Sequence, residues 1–393
     1  MAFGAGGQAM IDSIVWELQS GQYEIQDKNK LYSKRASGGK GFFNGSADSW
    51  EYSKSQHKKN RYFPFIKRAT RKSGNKDEKE TLEIQTSLPK AIYGTSILEV
   101  DESDYNAIIG ATNGHLREAG VITATNALEL ATLKRVDFSK IVILPPYLGK
   151  APQALLKLSQ FNYKPSSDFN LNRYFDGDSG MGVKFWNTTQ GYVIYDKIGE
   201  LIQRGYTDFE NDLIIKLNEN QKRSVLKFEL AIQNKRSLES VVGKRLQGKA
   251  MKNLTLQDVL NKDLAKQILL DNFIRTFDST ALGLLTLAEM QDNELLVYLE
   301  KSGLNHKKQI DLYYWVSMTT KFGIKAVWEM IADEYKGGSV TRIKKEIALA
   351  LAELPKLGGN LPNLTDFLRQ EHEKFELIKP SEKTRCQLLL NKV

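Results

Sequence analysis

At 393 residues the chain has room for two or three domains and an ample core, and 41% hydrophobic with 26% charged residues is ordinary soluble globular composition. The single cysteine, Cys386, excludes an intrachain disulfide and fits a reducing cytoplasm, and no run approaches the length that spans a membrane. The net charge of +9 points to a polyanionic partner, of which nucleic acid is the commonest.

Residues 1–9 lack the basic end and apolar core of a signal peptide and read as a flexible leader. Between Lys28 and Lys72 thirteen Lys or Arg stand against only Asp48 and Glu51. This stretch holds Lys58, Lys59, Arg61, Lys67 and Arg68, interleaved with Phe42, Phe43, Trp50, Tyr52, Tyr62, Phe63 and Phe65. Basic groups neutralise phosphates and aromatic rings stack on unpaired bases, while a solvated hairpin with core aromatics has the same composition. Residues 74–80 read as an exposed turn.

Four segments then read as strands with one polar face. Residues 81–86 set Glu83 and Gln85 opposite Leu82 and Ile84, and residues 133–139 set Arg135 and Asp137 opposite Val136 and Phe138. Residues 191–197 set Val193, Tyr195 and Lys197 on one side, and residues 224–232 set Lys227 and Glu229 opposite Leu226, Phe228 and Leu230. Between the first two, residues 101–133 have a helical pattern opened by a cap region at 101–104, and Pro145-Pro146 ends the second. A Gly-rich turn at 176–182 precedes a hairpin of 183–186 with 192–195. If the strands share a sheet, one face gathers Glu83, Asp137, Glu229, Tyr195 and Lys197. Clustered carboxylates bind a hard divalent cation, Mg²⁺ or Mn²⁺, and a phenol beside an ammonium can attack a phosphodiester. A merely solvated sheet face has the same pattern.

Beyond Arg236 strand signals nearly vanish. Thr255-Leu-Gln-Asp258 has the form of a capping box, and helical patterns cover roughly 283–302, 306–320, 324–335, 339–354 and 363–377. Arg342, Lys344 and Lys345 open one of these helices, as in a reading helix or in a solvated first turn.

Met10-Ile-Asp-Ser-Ile14, Ile84-Gln-Thr-Ser-Leu-Pro-Lys-Ala-Ile-Tyr-Gly94, Arg135-Val-Asp137, Tyr195-Asp-Lys197 with Glu200-Leu201, and Lys227-Phe-Glu229 occur in an order and spacing that resembles the replication initiators of filamentous bacteriophages, the gene II protein type. The resemblance spans about residues 10 to 240. It implies an α+β fold, with an HUH-like nuclease domain over 10–235 on a central antiparallel sheet and an all-α domain over 236–393 that binds DNA or a partner. It also implies metal-dependent nicking and rejoining of one strand of a supercoiled origin, with Tyr195 as nucleophile, Lys197 assisting, and a 5′-phosphotyrosine intermediate that starts rolling-circle replication. Asp137, Glu83 and Glu229 are the expected metal ligands, and Lys58, Lys59, Arg61, Lys67, Arg68, Lys90 and Arg135 the expected DNA-binding residues. The paired histidines of the wider HUH superfamily are absent: His57, His115, His306 and His372 stand singly, and Arg135-Val-Asp137 takes the place of the paired strand. Duplex and single-stranded origin DNA, a host helicase and a single-strand-binding protein are the implied partners, in a bacterial cytoplasm. Two alternatives stand beside this reading: a non-catalytic origin-binding or copy-control protein, and a tyrosine relaxase or transposase acting on other DNA.

Neutralising Lys58, Lys59 and Arg61 together is expected to weaken binding equally for origin and unrelated duplexes, because phosphate contacts carry no base information. The slope of log affinity against log salt should flatten by about 0.9 for each phosphate that is no longer neutralised. A weakened origin preference alone, with the salt slope unchanged, would make the segment a base-reading element.

Overall fold

A computed structural model describes residues 11–27, 31–34, 49–52, 62–73, 76–161, 170–175, 181–205, 210–211, 224–277, 283–284, 287–288, 290, 292–334, 338–354 and 364–376. The expected leader at 1–9, Lys58, Lys59, Arg61, residues 176–180 and residues 355–363 lie outside them. The fold is α+β. Eight antiparallel strands form one sheet in the order β5-β6-β1-β8-β12-β11-β10-β9. These are β1 (Ile11–Gln19), β5 (Phe65–Ser73), β6 (Lys76–Ser87), β8 (Thr132–Ile143), β9 (Asn170–Phe175), β10 (Met181–Trp186), β11 (Gln190–Asp196) and β12 (Val225–Ile232). Two small ribbons pair β2 (Tyr23–Ile25) with β7 (Val121–Thr123) and β3 (Leu31–Lys34) with β4 (Ser49–Tyr52).

Strand alternation divides the sheet into two unlike faces. Ile14, Trp16 and Leu18 of β1, Val136 and Phe138 of β8, Tyr192 and Ile194 of β11, and Leu226, Phe228 and Leu230 of β12 are buried on one face. The other carries Val15, Glu17, Glu83, Arg135, Asp137, Val193, Tyr195, Lys227 and Glu229, most of them only half-buried. The four expected strands are therefore present, with their polar residues on a common side.

Helices take over where strand chemistry stops. Ser87 ends β6 and Pro89 opens α1 (Leu88–Tyr93), which closes on Gly94 at φ 78°, a left-handed cap that suits glycine. The cap region at Asp101–Asp104 leads into α2 (Tyr105–Glu118), as its sequence indicates. The helical pattern expected to run to Leu133 stops much earlier. Gly120 adopts φ 76°, and the β-branched Val121, Ile122 and Thr123 pair with Tyr23–Ile25 instead. Most of the expected turn at 74–80 likewise belongs to β6, which begins at Lys76 opposite Ser73. After β8, Pro146–Leu148 form a 3₁₀ turn before α3 (Ala151–Phe161), and the expected hairpin is β10–β11.

Among the described residues no strand follows β12. The capping box at Thr255 is present but opens only α6 (Leu256–Val259), and Asn261 caps α7 (Lys262–Thr276) separately. They follow α5 (Lys235–Gln247) and precede α8 (Asp292–Lys301), α9 (His306–Phe322), α10 (Ile324–Glu334), α11 (Gly338–Glu353) and α12 (Leu364–Lys374). No helix of the described residues is long and apolar enough to cross a membrane. These helices share one continuous core with the sheet. Phe273 of α7 lies edge-on to Phe228 of β12 with ring centroids 6.2 Å apart, and Phe277 meets Phe185 of β10 in the same way at 6.3 Å.

His372 of α12 closes this layer. Its ring stacks on Phe273 at 4.8 Å and stands perpendicular to Phe228 at 4.7 Å. Its Nδ1 lies 2.8 Å from the Leu368 carbonyl, which fixes that nitrogen as the donor of a neutral ring. Burial pushes its pKa down to about 4 against that carbonyl's opposing pull, with the Lys140 charge adding to the fall. A depressed histidine pKa makes the unfolded chain bind the proton first, so stability is full above the ordinary pKa of about 6.5 and falls as pH drops toward 4. Urea midpoints measured from pH 7 to pH 4.5 should reveal a loss on the order of 3 kcal/mol at its full extent. His372→Phe should shrink that loss. An unchanged pH dependence in His372→Phe would remove His372 as its source.

Candidate active site on the polar face of the sheet

Register brings the candidate residues together row by row. Tyr195 of β11 pairs with Lys227 of β12, and Lys227 with Ile141 of β8. One row along, Val193 pairs with Glu229 and Glu229 with Ser139. The next joins Ala231 to Asp137, and Asp137 to Ser13 of β1. The β1–β8 register slips between Ile11 and Ser13, leaving Asp12 as an extra residue. Strict alternation would send Asp12 inward with Ile14 and Trp16. The bulge re-aims it across β8 to the ammonium of Lys227.

Lys227 is the hub. Only 2% of its side chain is exposed, and Nζ is bonded to Asp12 Oδ1 and lies 2.8 Å from Glu229 Oε1. Glu229 Oε1 also accepts the Tyr195 hydroxyl at 2.8 Å, so phenol, carboxylate, ammonium and second carboxylate form a chain. Ser13 Oγ donates to Asp12 Oδ2 at 2.8 Å and completes the support of Asp12.

Lys197 arrives differently from the expected strand alternation. The strand ends at Asp196, whose side chain accepts from the backbone N–H of Ile198 and Gly199 and caps α4 (Lys197–Arg204). Lys197 is thus the first residue of that helix. Its Nζ lies 5.7 Å from the Tyr195 ring centroid, donates to Ser96 Oγ at 2.8 Å and pairs with Glu200 Oε2 at 2.6 Å. Ser96 sits in the segment after α1, and Glu200 is one helical turn on.

These environments split like groups apart. Burial raises the pKa of Asp12, but the charge and hydrogen bond of Lys227 overcome it and hold the carboxyl down at about 2. Burial also raises Asp137, and there the bidentate Arg135, with Nε and Nη2 each 2.8 Å from a carboxylate oxygen, compensates only in part; its pKa stands at about 6. Burial and the neighbouring Lys227 lower Lys197 to about 8. Burial alone would lower Lys227 too, but Asp12 and Glu229 carry it well above the ordinary lysine value. Tyr195 is pushed well above 10 by burial, with Lys227 opposing and Glu229 and Asp12 adding to the rise.

Glu83 is not part of this group. Asp137 shares its row with Ser13 and, through β1, with Ser87; Glu83 is four residues further along β6, about 13 Å away at the strand rise. There it faces Glu17 and is bonded to Lys134, whose Nζ is also 3.2 Å from Glu17 Oε2. Of the expected DNA-binding residues, Arg135 is on Asp137, Arg68 is ion-paired with Glu80, Lys67 is buried opposite Glu83, and Lys90 is half-buried in α1. Asp12 and Lys227 were not among the expected site residues. Lys227 was detectable, since it alternates onto the same face as Glu229, whereas nothing in the alternation marks Asp12.

The carboxylates are hard-oxygen donors of the kind Mg²⁺ or Mn²⁺ takes. As arranged, however, Lys227 holds Asp12 and Glu229, and Arg135 holds Asp137. Among the described residues no three acidic, histidine or cysteine side chains form a group that could hold an ion. In this arrangement the Tyr195 phenol is set among ammonium and carboxylate groups.

Asp12→Ala should lower stability by about 3–5 kcal/mol, because it strips the buried Lys227 of its main counter-charge. Asp12→Ala with Lys227→Met should recover most of that loss in urea unfolding. A double variant no more stable than the single one would mean that Asp12 acts through something other than Lys227.

No protein-family model matches this chain, and no curated protein matches it.

Proposed function

We propose that this chain is a rolling-circle replication initiator with an HUH-like nuclease fold, which nicks and rejoins one DNA strand through Tyr195. The observation that carries the reading is the Tyr195 hydroxyl on the polar face of the sheet, donating at 2.8 Å to Glu229 beside a buried ammonium. The resemblance to the gene II protein type supports it from the sequence, as does the net charge of +9.

In the proposed reaction Glu229 takes the phenolic proton as general base, and Tyr195 Oη attacks the phosphorus. Lys227 favours the phenolate that forms. The P–O3′ bond breaks, leaving a 5′-phosphotyrosine and a 3′-hydroxyl for a polymerase to extend. The tyrosyl ester retains the phosphodiester energy, so the reverse transfer rejoins the strand without a nucleotide cofactor. Asp137, on the same face, would hold the divalent ion of this reading, which when bound would polarise the phosphate. The substrate is origin DNA presented as single strand, with a host helicase and a single-strand-binding protein as partners. A non-catalytic origin-binding role is the second reading, favoured by the burial that holds the Tyr195 proton on its oxygen.

The test is a denaturing gel of protein mixed with the supercoiled replicon that encodes it. Wild type should leave protein attached to a nicked strand. Tyr195→Phe should abolish attachment while duplex binding persists. Tyr192→Phe should retain attachment with near-neutral stability, because that hydroxyl is fully buried without a hydrogen-bond partner among the described residues. Attachment by Tyr195→Phe would overturn the assignment of the nucleophile, and no attachment by wild type would leave the binding-only reading.

A further inference from the structure

Nicking leaves an alkoxide on O3′ unless that oxygen receives a proton as the bond breaks, so the reaction needs a proton donor besides its base. Two lysines stand beside Tyr195 in unlike settings. Lys227 is shared between two carboxylates, Asp12 and Glu229, and is fixed there by a β-bulge. Losing its proton would leave both carboxylates without their shared counter-ion. Lys197 has one carboxylate, Glu200, and one neutral partner, the hydroxyl of Ser96. Its ammonium is 2% exposed, while Glu200 is 32% exposed, so Glu200 links Lys197 to solvent. An in-line displacement puts the leaving oxygen across phosphorus from the attacking one. Lys197 enters from α4, beyond the end of the strand that carries Tyr195, with Nζ 5.7 Å from the ring centroid.

Resting on the nicking reading, we propose that Lys197 is the general acid of the reaction and that Lys227 is a fixed charge. The Tyr195 Oη–P bond forms as P–O3′ breaks, the phenolic proton passes to Glu229, and a Lys197 proton passes to O3′. Lys197 is left neutral and regains its proton from solvent by way of Glu200. In rejoining the steps reverse: Lys197, having released its proton to solvent by way of Glu200, accepts the proton of the 3′-hydroxyl, and Glu229 returns its own to the tyrosine. Groups facing Lys197 are Lys227 of β12, Asp12 of β1, Tyr195 of β11 and Glu200 of its own helix. They leave it protonated at neutrality yet able to give the proton up, which a donor that must also act in reverse requires. Nicking should accordingly decline above pH 8, as the acid form is depleted.

The experiment compares two oligonucleotides carrying the nick site mapped with wild type: one natural, one with sulfur replacing the bridging 3′-oxygen. A thiolate leaves without protonation. Lys197→Met should form the tyrosyl adduct about 10²- to 10⁴-fold more slowly than wild type on the oxygen substrate and at nearly the wild-type rate on the sulfur one. Lys197→Arg, which keeps the charge but cannot release a proton, should behave in the same way, and it serves where the Met variant fails to fold. The decline above pH 8 should vanish with the sulfur substrate. Equal slowing of both variants on both substrates would overturn the proposal and make Lys197 a binding or structural residue. Failure of wild type to form any adduct would instead remove the nicking reading itself.

Discussion

The polar face depends on one buried ammonium. Placing Lys227 under the surface of a sheet carries a desolvation penalty of several kcal/mol, offset only where carboxylates meet it at close range. Glu229 does so from the same strand, two residues on. Asp12 does so from two strands away, and only because β1 bulges at that point. That pairing sets the electrostatics of its surroundings. It holds Asp12 ionised, and the charge of Lys227 helps lower Lys197 and opposes the rise in Tyr195. The Tyr195 hydroxyl is positioned by the oxygen of Glu229 that Lys227 also uses.

The opposite face bears the mechanical load. Phe138, Tyr192, Phe228 and Leu230 cannot face water, and the helices after β12 exist on the sheet because they cover them. Phe273, Phe277 and His372 reach strands β10 and β12 from positions more than forty residues beyond the last strand. The division into residues 10–235 and 236–393 marks where strands give way to helices, and the hydrophobic core runs across it. Perturbing α7 or α12 therefore acts on the strands that carry Lys227 and Glu229, without touching the polar face.

Much of this was legible in the sequence wherever a period reported burial. Alternation in 81–86, 133–139 and 224–232 placed each polar face correctly, and the helical patterns after 283 fall close to the observed helices. Alternation misled where local backbone chemistry overrides it. Asp196 caps a helix and turns the chain before Lys197, so Lys197 reaches Tyr195 from a helix and not from the strand. A bulge reverses Asp12, which parity assigns to the core. Register was the other gap. Polar residues on one face need not be neighbours, and Glu83 is separated from Asp137 by strand offset alone, a quantity no single strand encodes.

The cluster consists of a buried inner part and a more exposed rim. Lys227 and Lys197 are each 2% exposed and Asp12 is 15% exposed, whereas Glu229, Glu200 and Arg135 are 25%, 32% and 37% exposed. On the proposed nicking reading, a phosphate arriving from solvent meets this rim first. Glu229 keeps its place on the Tyr195 hydroxyl as the base, and Asp12 keeps Lys227 charged beside it. A cation fixed by a carboxylate that takes no part in proton transfer offsets the charge that develops on the phenol, so the reaction changes the buried charge little.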